Sequence, residues 1–178
     1  MKYFLTVRKS IYVFAMFLFA ITSFTTISCS KDDDKVDECT NFPALDGTIT
    51  VNSSVQKLSV AQYIASSSGG GFDDTYSFQL AGVSNDCLEQ TSVIMFINVT
   101  AGAKLGGTYP IKSFFNAEVN DASATLIKQK ISPVSQSSQD IESGTIKITN
   151  HGTNDFTIDM TGKTITGENI AFLIRHKF

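Results

Sequence analysis

Tryptophan is missing from all 178 residues, histidine occurs only at His151 and His176, and cysteine only at Cys29, Cys39 and Cys87. Each scarcity removes a class of chemistry. Two widely separated histidines, with no H-E-x-x-H, supply no recognisable zinc centre, and two cysteines without a neighbouring histidine do not make one either. No G-x-S-x-G and no phosphate-binding glycine loop occurs; "SGGGF" lacks the strand, loop and lysine context such a loop requires. The absence of tryptophan and the small number of tyrosines remove the flat platforms on which sugars commonly stack. That counts against glycosidase and lectin readings without closing them. No basic patch appears, and the close lysine pair Lys128 and Lys130 reads as a solvated strand face, which argues against a nucleic-acid partner. No cofactor is implied.

What the sequence does have is concentrated at its start. Lys2, Arg8 and Lys9 precede an apolar run from Ile11 to Phe24 broken only by Thr22 and Ser23, and small and polar residues lead to Cys29. That is the order of a secretory signal peptide. A permanent membrane helix is the rival, but it needs roughly 20 apolar residues, and Thr22, Thr25, Thr26 and Ser28 dilute the far end of this run. Cleavage before Cys29 leaves 150 residues and removes three cations from a net charge of −3, giving about −6. A chain of that length makes one domain with an adequate core.

The residues Thr26-Ile27-Ser28-Cys29, followed by "SKDDDK", resemble the lipobox and acidic export signal of small surface lipoproteins of the Bacteroidetes. Thr26 departs from the leucine common at its position, and Ile27 and Ser28 fit. The resemblance implies lipidation of Cys29, with Lys31, Asp32, Asp33 and Asp34 as the export signal to the outer face of the outer membrane. The chain would then be held by buried acyl chains, each CH2 contributing about 0.8 kcal/mol, and would not span. The expected organisation is a signal peptide at 1–28, a lipidated cysteine and acidic tether at 29–41, and one β-rich domain at 42–178. Calcium capture by the Asp32–Asp34 triplet lacks the ligand number and spacing that cation needs, so no metal site is expected. Export also favours a disulfide between Cys39 and Cys87; two unconnected thiols are the other reading.

Beyond the tether the patterning is that of strands. Tyr76, Phe78 and Leu80 alternate with Ser77 and Gln79, and Ile146 and Ile148 alternate with Lys147 and Thr149. Phe156, Ile158 and Met160 return after "NHGTND" as the second arm of a hairpin. "TSVIMFINV" is apolar on both faces, which predicts a central strand partly covered on its second side. Pro110 marks an edge or strand end. Val55, Leu58, Ala61 and Ile64 recur every third position, as in a helix, but valine, tyrosine and isoleucine favour a strand. "KSFFNAEVND" admits a short helical turn. Eight or nine short strands point to an all-β fold, with an antiparallel β-sandwich favoured and a small closed β-barrel as the alternative. The order "LDG", "GGTYPI", "ESGTIKIT", hairpin and closing strand is similar to that of small Bacteroidetes lipoproteins without an assigned activity, although "ITGENIAF" stands where their closing pattern differs. The similarity carries no catalytic set to this chain.

The favoured function is therefore a lipid-anchored, non-catalytic module on the outer membrane that binds a protein or glycan or supports an envelope assembly. The loops around Phe72, Asp73, Asp74 and His151 are candidate binding residues, on the ground that loops are common binding sites. Two alternatives stay open. One is an extracellular hydrolase using two carboxylates among Asp73, Asp74, Asp86, Glu89, Glu118 and Asp159. The other is a carrier of a small apolar ligand inside a barrel.

Overall fold

A computed structural model describes residues 44–66, 73–130 and 133–178, all within one compact unit spanning Val36–Phe178. The signal peptide, Cys29, Lys31, Asp32, Asp33, Asp34, the tether, Cys39 and Phe72 lie outside the described residues.

Nine strands follow one another: β1 (Gly47–Val51), β2 (Ser54–Ser66), β3 (Asp74–Val83), β4 (Glu89–Val99), β5 (Gly107–Pro110), β6 (Ala122–Lys130), β7 (Ser135–Gly152), β8 (Asp155–Thr164) and β9 (Asn169–Lys177). All strand pairings are antiparallel, in the order β7-β6-β4-β3-β2-β1-β9-β8, and β8 pairs back onto β7. The sheet is thus an up-and-down barrel of eight strands, closed on itself. The all-β expectation holds. The β-sandwich favoured from periodicity is corrected to the barrel alternative, because the β7–β8 pairing leaves one continuous sheet rather than two. β5 is the ninth strand, hydrogen-bonded only to β7 at an edge, where Pro110 predicts it.

Two local features make closure work. β7 is 18 residues long. Its first part pairs with β6 and its later part with β5 on that side, while β8 runs along the other side from Ile141 to Gly152. Where β7 bends, Gly144 stands opposite Gly162. A Cβ at Gly144 would lie 2.1 Å from the Thr161 carbonyl oxygen, and its φ of 137° disfavours any side chain. The paired glycines let two backbones approach at a barrel corner.

The second feature is in β2. Leu58 faces Gly82 and Val60 faces Ala81, so Ser59 is an extra residue in a β-bulge. A bulge resets the inside–outside parity. Leu58 and Ala61 therefore both face the core although three residues apart, which accounts for that step of the helix-like spacing; Val55 and Ile64 are exposed.

An eight-stranded barrel has an interior just wide enough for side chains to fill. Here Ile49, Leu58, Phe78, Leu80, Val93, Met95, Ile97, Leu126, Ile146, Ile158 and Met160 are buried there. The outer wall of β7 and β8 is polar, with exposed Lys147 opposite exposed Asp159. The 111–121 segment forms turns rather than a helix. It lays Phe114 against outward-facing Phe96, ring centroids 5.7 Å apart. This is the partial second cover expected for β4. Phe115 beside it is 84% exposed, so the phenylalanines beyond the signal peptide are not all core.

Candidate functional site

The two ends of the barrel are built differently. One end carries the last residues of β2, the first of β3, the 100–121 segment and the β7–β8 turn; its interior is aromatic. The Tyr63 ring lies 5.0 Å from Phe78, 5.2 Å from Phe156 and 5.8 Å from Phe178, and Phe78 meets Phe156 edge-on at 5.7 Å. Tyr76 stacks on Tyr63 at 6.2 Å. Burial raises the Tyr63 phenol above its ordinary value, with Tyr76 adding to the rise. Burial also raises Tyr76, followed by the charge of Asp74 and the neighbouring Tyr109. This end is plugged.

The candidate binding residues read from the sequence sit here. Asp74 is buried and accepts a hydrogen bond from the Gly102 amide at 2.8 Å. That ties β3 to the 100–106 turn. Asp73 is exposed beside it. His151 is exposed near the end of β7, beside the β7–β8 turn, with Nε2 2.9 Å from the Thr157 hydroxyl. His176 is half-buried against Phe178, ring centroids 4.8 Å apart. No group of three potential metal ligands occurs among the described residues.

The opposite end, the mouth, is formed by the β1–β2 turn at Asn52-Ser53, the β3–β4 turn 84–88, the β6–β7 turn and the β8–β9 turn 165–168. Polar side chains fix these turns. The Asn52 side chain, held at a φ of 53°, accepts from the Asn169 amide at 3.0 Å, and the Asn52 amide donates to the Asn169 carbonyl at 2.7 Å. Asp86 accepts from the Ser84 hydroxyl and from the Leu88 amide, and these bonds hold its carboxyl below the ordinary carboxylate range. Thr164 accepts from the Glu168 amide at 3.0 Å, which sets Glu168 beside Lys128.

Inside the mouth lies a cavity of about 450 Å³. Ile49 and Val51 are its apolar lining. The rest is polar: Asn52, Ser53, Ser54 and Gln56 from β1–β2, Glu89, Gln90 and Thr91 from β4, and Lys128, Gln129 and Lys130 from β6. The charges are paired, Lys130 with Glu89 at 3.0 Å and Lys128 with Glu168. Gln56 is 7% exposed, yet its Oε1 has no hydrogen-bond partner; Glu168 Oε2 is also buried and unpartnered. Uncompensated buried polar atoms of this kind cost about 1–3 kcal/mol each, so their presence beside a cavity needs an explanation.

Sequence reasoning missed this site. Lys128 shares strand parity with Leu126, and Ile127 occupies the outer face. The lysine pair is on the inner face near the mouth, not on a solvated outer face. The signal available was parity: Gln56 is in phase with Leu58, Thr91 with Val93 and Lys128 with Leu126.

The carboxylates weighed for hydrolysis are divided between the two ends and the outer wall. Asp73, Asp74 and Glu118 are at the plugged end, Asp86 and Glu89 at the mouth, and Asp159 is on the outer wall of β8. The expected Cys39–Cys87 bridge joins a described residue to one outside the described residues. No disulfide lies among the described residues, where Cys87 is the only cysteine and Cys39 is outside them. Cys87, in the 84–88 turn at a φ of 57°, is nonetheless disulfide-bonded rather than a free thiol. Comparison with family models, curated proteins and solved structures finds no match for the chain.

Proposed function

We propose that the protein is a lipid-held, non-catalytic binding module whose barrel mouth is its recognition end. The anchor rests on the sequence at Cys29 and its acidic sequel. The barrel's polarity supports a body that stays in water. A membrane-spanning barrel is apolar outside and polar within, whereas this one has charged residues on the outer wall and a filled apolar interior.

The observation that carries the recognition end is its rim. Every one of the four turns at the mouth brings a large exposed aliphatic: Val55 following the first, Leu88, Val134 (81% exposed) and Ile165 (63% exposed). Exposed apolar side chains gathered around a cavity mark interaction sites more often than scattered ones do. Most lining side chains carry hydrogen-bonding groups, which an apolar cargo would leave unpaired, and the carboxylates weighed for hydrolysis are divided between the two ends and the outer wall.

The test is site-directed photo-crosslinking in the intact envelope. A crosslinker at Ile165 or Val134 is expected to give a discrete adduct, and one at Leu173 on the outer wall none. Adducts from the wall and none from the mouth would refute the assignment. Cys29→Ala is expected to abolish fatty-acid labelling and signal cleavage; a labelled, cleaved variant would refute the anchor.

A further inference from the structure

We infer that the mouth cavity is a site for a neutral, hydroxyl-rich ligand of the size of one or two sugar rings, held by Gln56 and Lys128. This rests on the reading of the mouth as the recognition end and names what its interior would take.

The inference starts from charge. Both lysines of the cavity are paired with carboxylates, so the site has no excess charge with which to select an anion or a cation. It continues with hydrogen bonding. The lining contains amides and hydroxyls from Asn52, Ser53, Gln56, Gln90, Thr91 and Gln129. Such groups both donate and accept. Their best complement is a ligand that does the same at many positions, which describes a polyol.

Gln56 makes the requirement specific. Its buried Oε1 has no partner. Gln56 lines the cavity, and a turn of its terminal amide would bring that oxygen or the amide nitrogen to a ligand hydroxyl, which both donates and accepts. Lys128 directs one ammonium hydrogen to Glu168, and an ammonium has two more with which to reach a ligand oxygen. Apolar Ile49 and Val51 offer a surface for the C–H face of a ring. The volume of about 450 Å³ falls within the range of small-ligand sites, roughly 300–1,000 Å³. Gly82 helps keep the space beside Gln56: a Cβ there would come within 3.1 Å of the Gln56 Cβ.

The experiment is a heteronuclear NMR titration of the full-length mature protein, in detergent, with defined probes. These are neutral monosaccharides and disaccharides, inorganic phosphate, decanoate and a glycine-rich dipeptide. The expected result is saturable binding of at least one neutral sugar, with shifts confined to Val51–Gln56, Glu89–Thr91 and Lys128–Lys130. Gln56→Leu and Lys128→Met should each weaken it at least tenfold, and Leu173→Ser, on the outer wall, should leave it unchanged. Thr91→Val, nearly isosteric, provides a second variant should Gln56→Leu fail to fold, and is expected to weaken binding severalfold. The inference is overturned if no sugar saturates, if only phosphate, decanoate or the dipeptide binds, or if shifts map to the plugged end. A mouth that binds no sugar but still gives the Ile165 crosslink would sink this inference and leave the recognition end standing. Loss of both would sink the two together.

Discussion

The aromatic end and the mouth are made from the same eight strands, yet they meet the problem of a narrow barrel interior in opposite ways. At one end large rings fill the space. At the other, side chains of the same strands, in the same parity, turn polar, and a cavity remains. Close-packed aromatic contact stabilises a fold. A cavity lined by an unpartnered glutamine does not, and its cost of about 1–3 kcal/mol is tolerable only because the plugged end and the apolar middle supply the core. The difference teaches that stability and recognition are separated along the barrel axis.

Several variants can break or sharpen that contrast. The largest effect is expected at the plug. Phe78→Ala should cost about 3–5 kcal/mol in denaturant unfolding, because it opens a space next to Tyr63, Phe156 and Phe178. A cost below about 1 kcal/mol would mean the rings do not form a packed plug. Next comes the closing corner shared by both ends. Gly144→Ala should cost about 2–3 kcal/mol, since the added methyl collides with the Thr161 carbonyl at an unfavourable φ. A neutral result would show that the two backbones are not held so close.

Smaller effects separate the ends by pH. At the plug, the raised Tyr63 and Tyr76 phenols favour the folded state below the ordinary tyrosine value of 10.0, and that contribution is lost as pH rises through their folded values. An ultraviolet titration should therefore show two tyrosines ionising above 10.0. At the mouth the sign reverses. The lowered Asp86 carboxyl contributes above its ordinary value of 3.8 and loses that contribution as pH falls through the folded value. Carboxyl NMR should place Asp86 below 3.8, and Ser84→Ala should move it upward by removing the largest cause. An unmoved titration would show that the Ser84 bond does not hold the turn.

Much of the fold was legible because strand parity is a local property. Ile146 and Ile148, or Phe156, Ile158 and Met160, announce their inner face within a few residues. Closure is not local. Nothing in the neighbourhood of Gly144 says that Gly162 will stand opposite it, so sandwich and barrel read alike. The bulge at Ser59 scrambled parity and made β2 look partly helical. The site was hidden for a related reason. Polar residues at strand ends are expected in solvent, so Lys128 and Lys130 read as a solvated face, although parity with Leu126 turns them to the inner side of the mouth, where Lys130 is still exposed. Asp73, Asp74 and His151 attracted attention as loop residues, and they lie at the opposite end from this cavity.

The central claim is that Gln56 is kept polar for a partner other than the protein itself. Its most direct measurement is the unfolding free energy of Gln56→Leu without ligand, compared with the unsubstituted protein. The account predicts a protein as stable or more stable, by up to about 1–2 kcal/mol, because a side chain with an unpartnered buried oxygen gives way to an apolar group of similar size. A loss of about 2 kcal/mol or more would contradict it, since Gln56 would then be serving the fold through bonds within the chain or to ordered water.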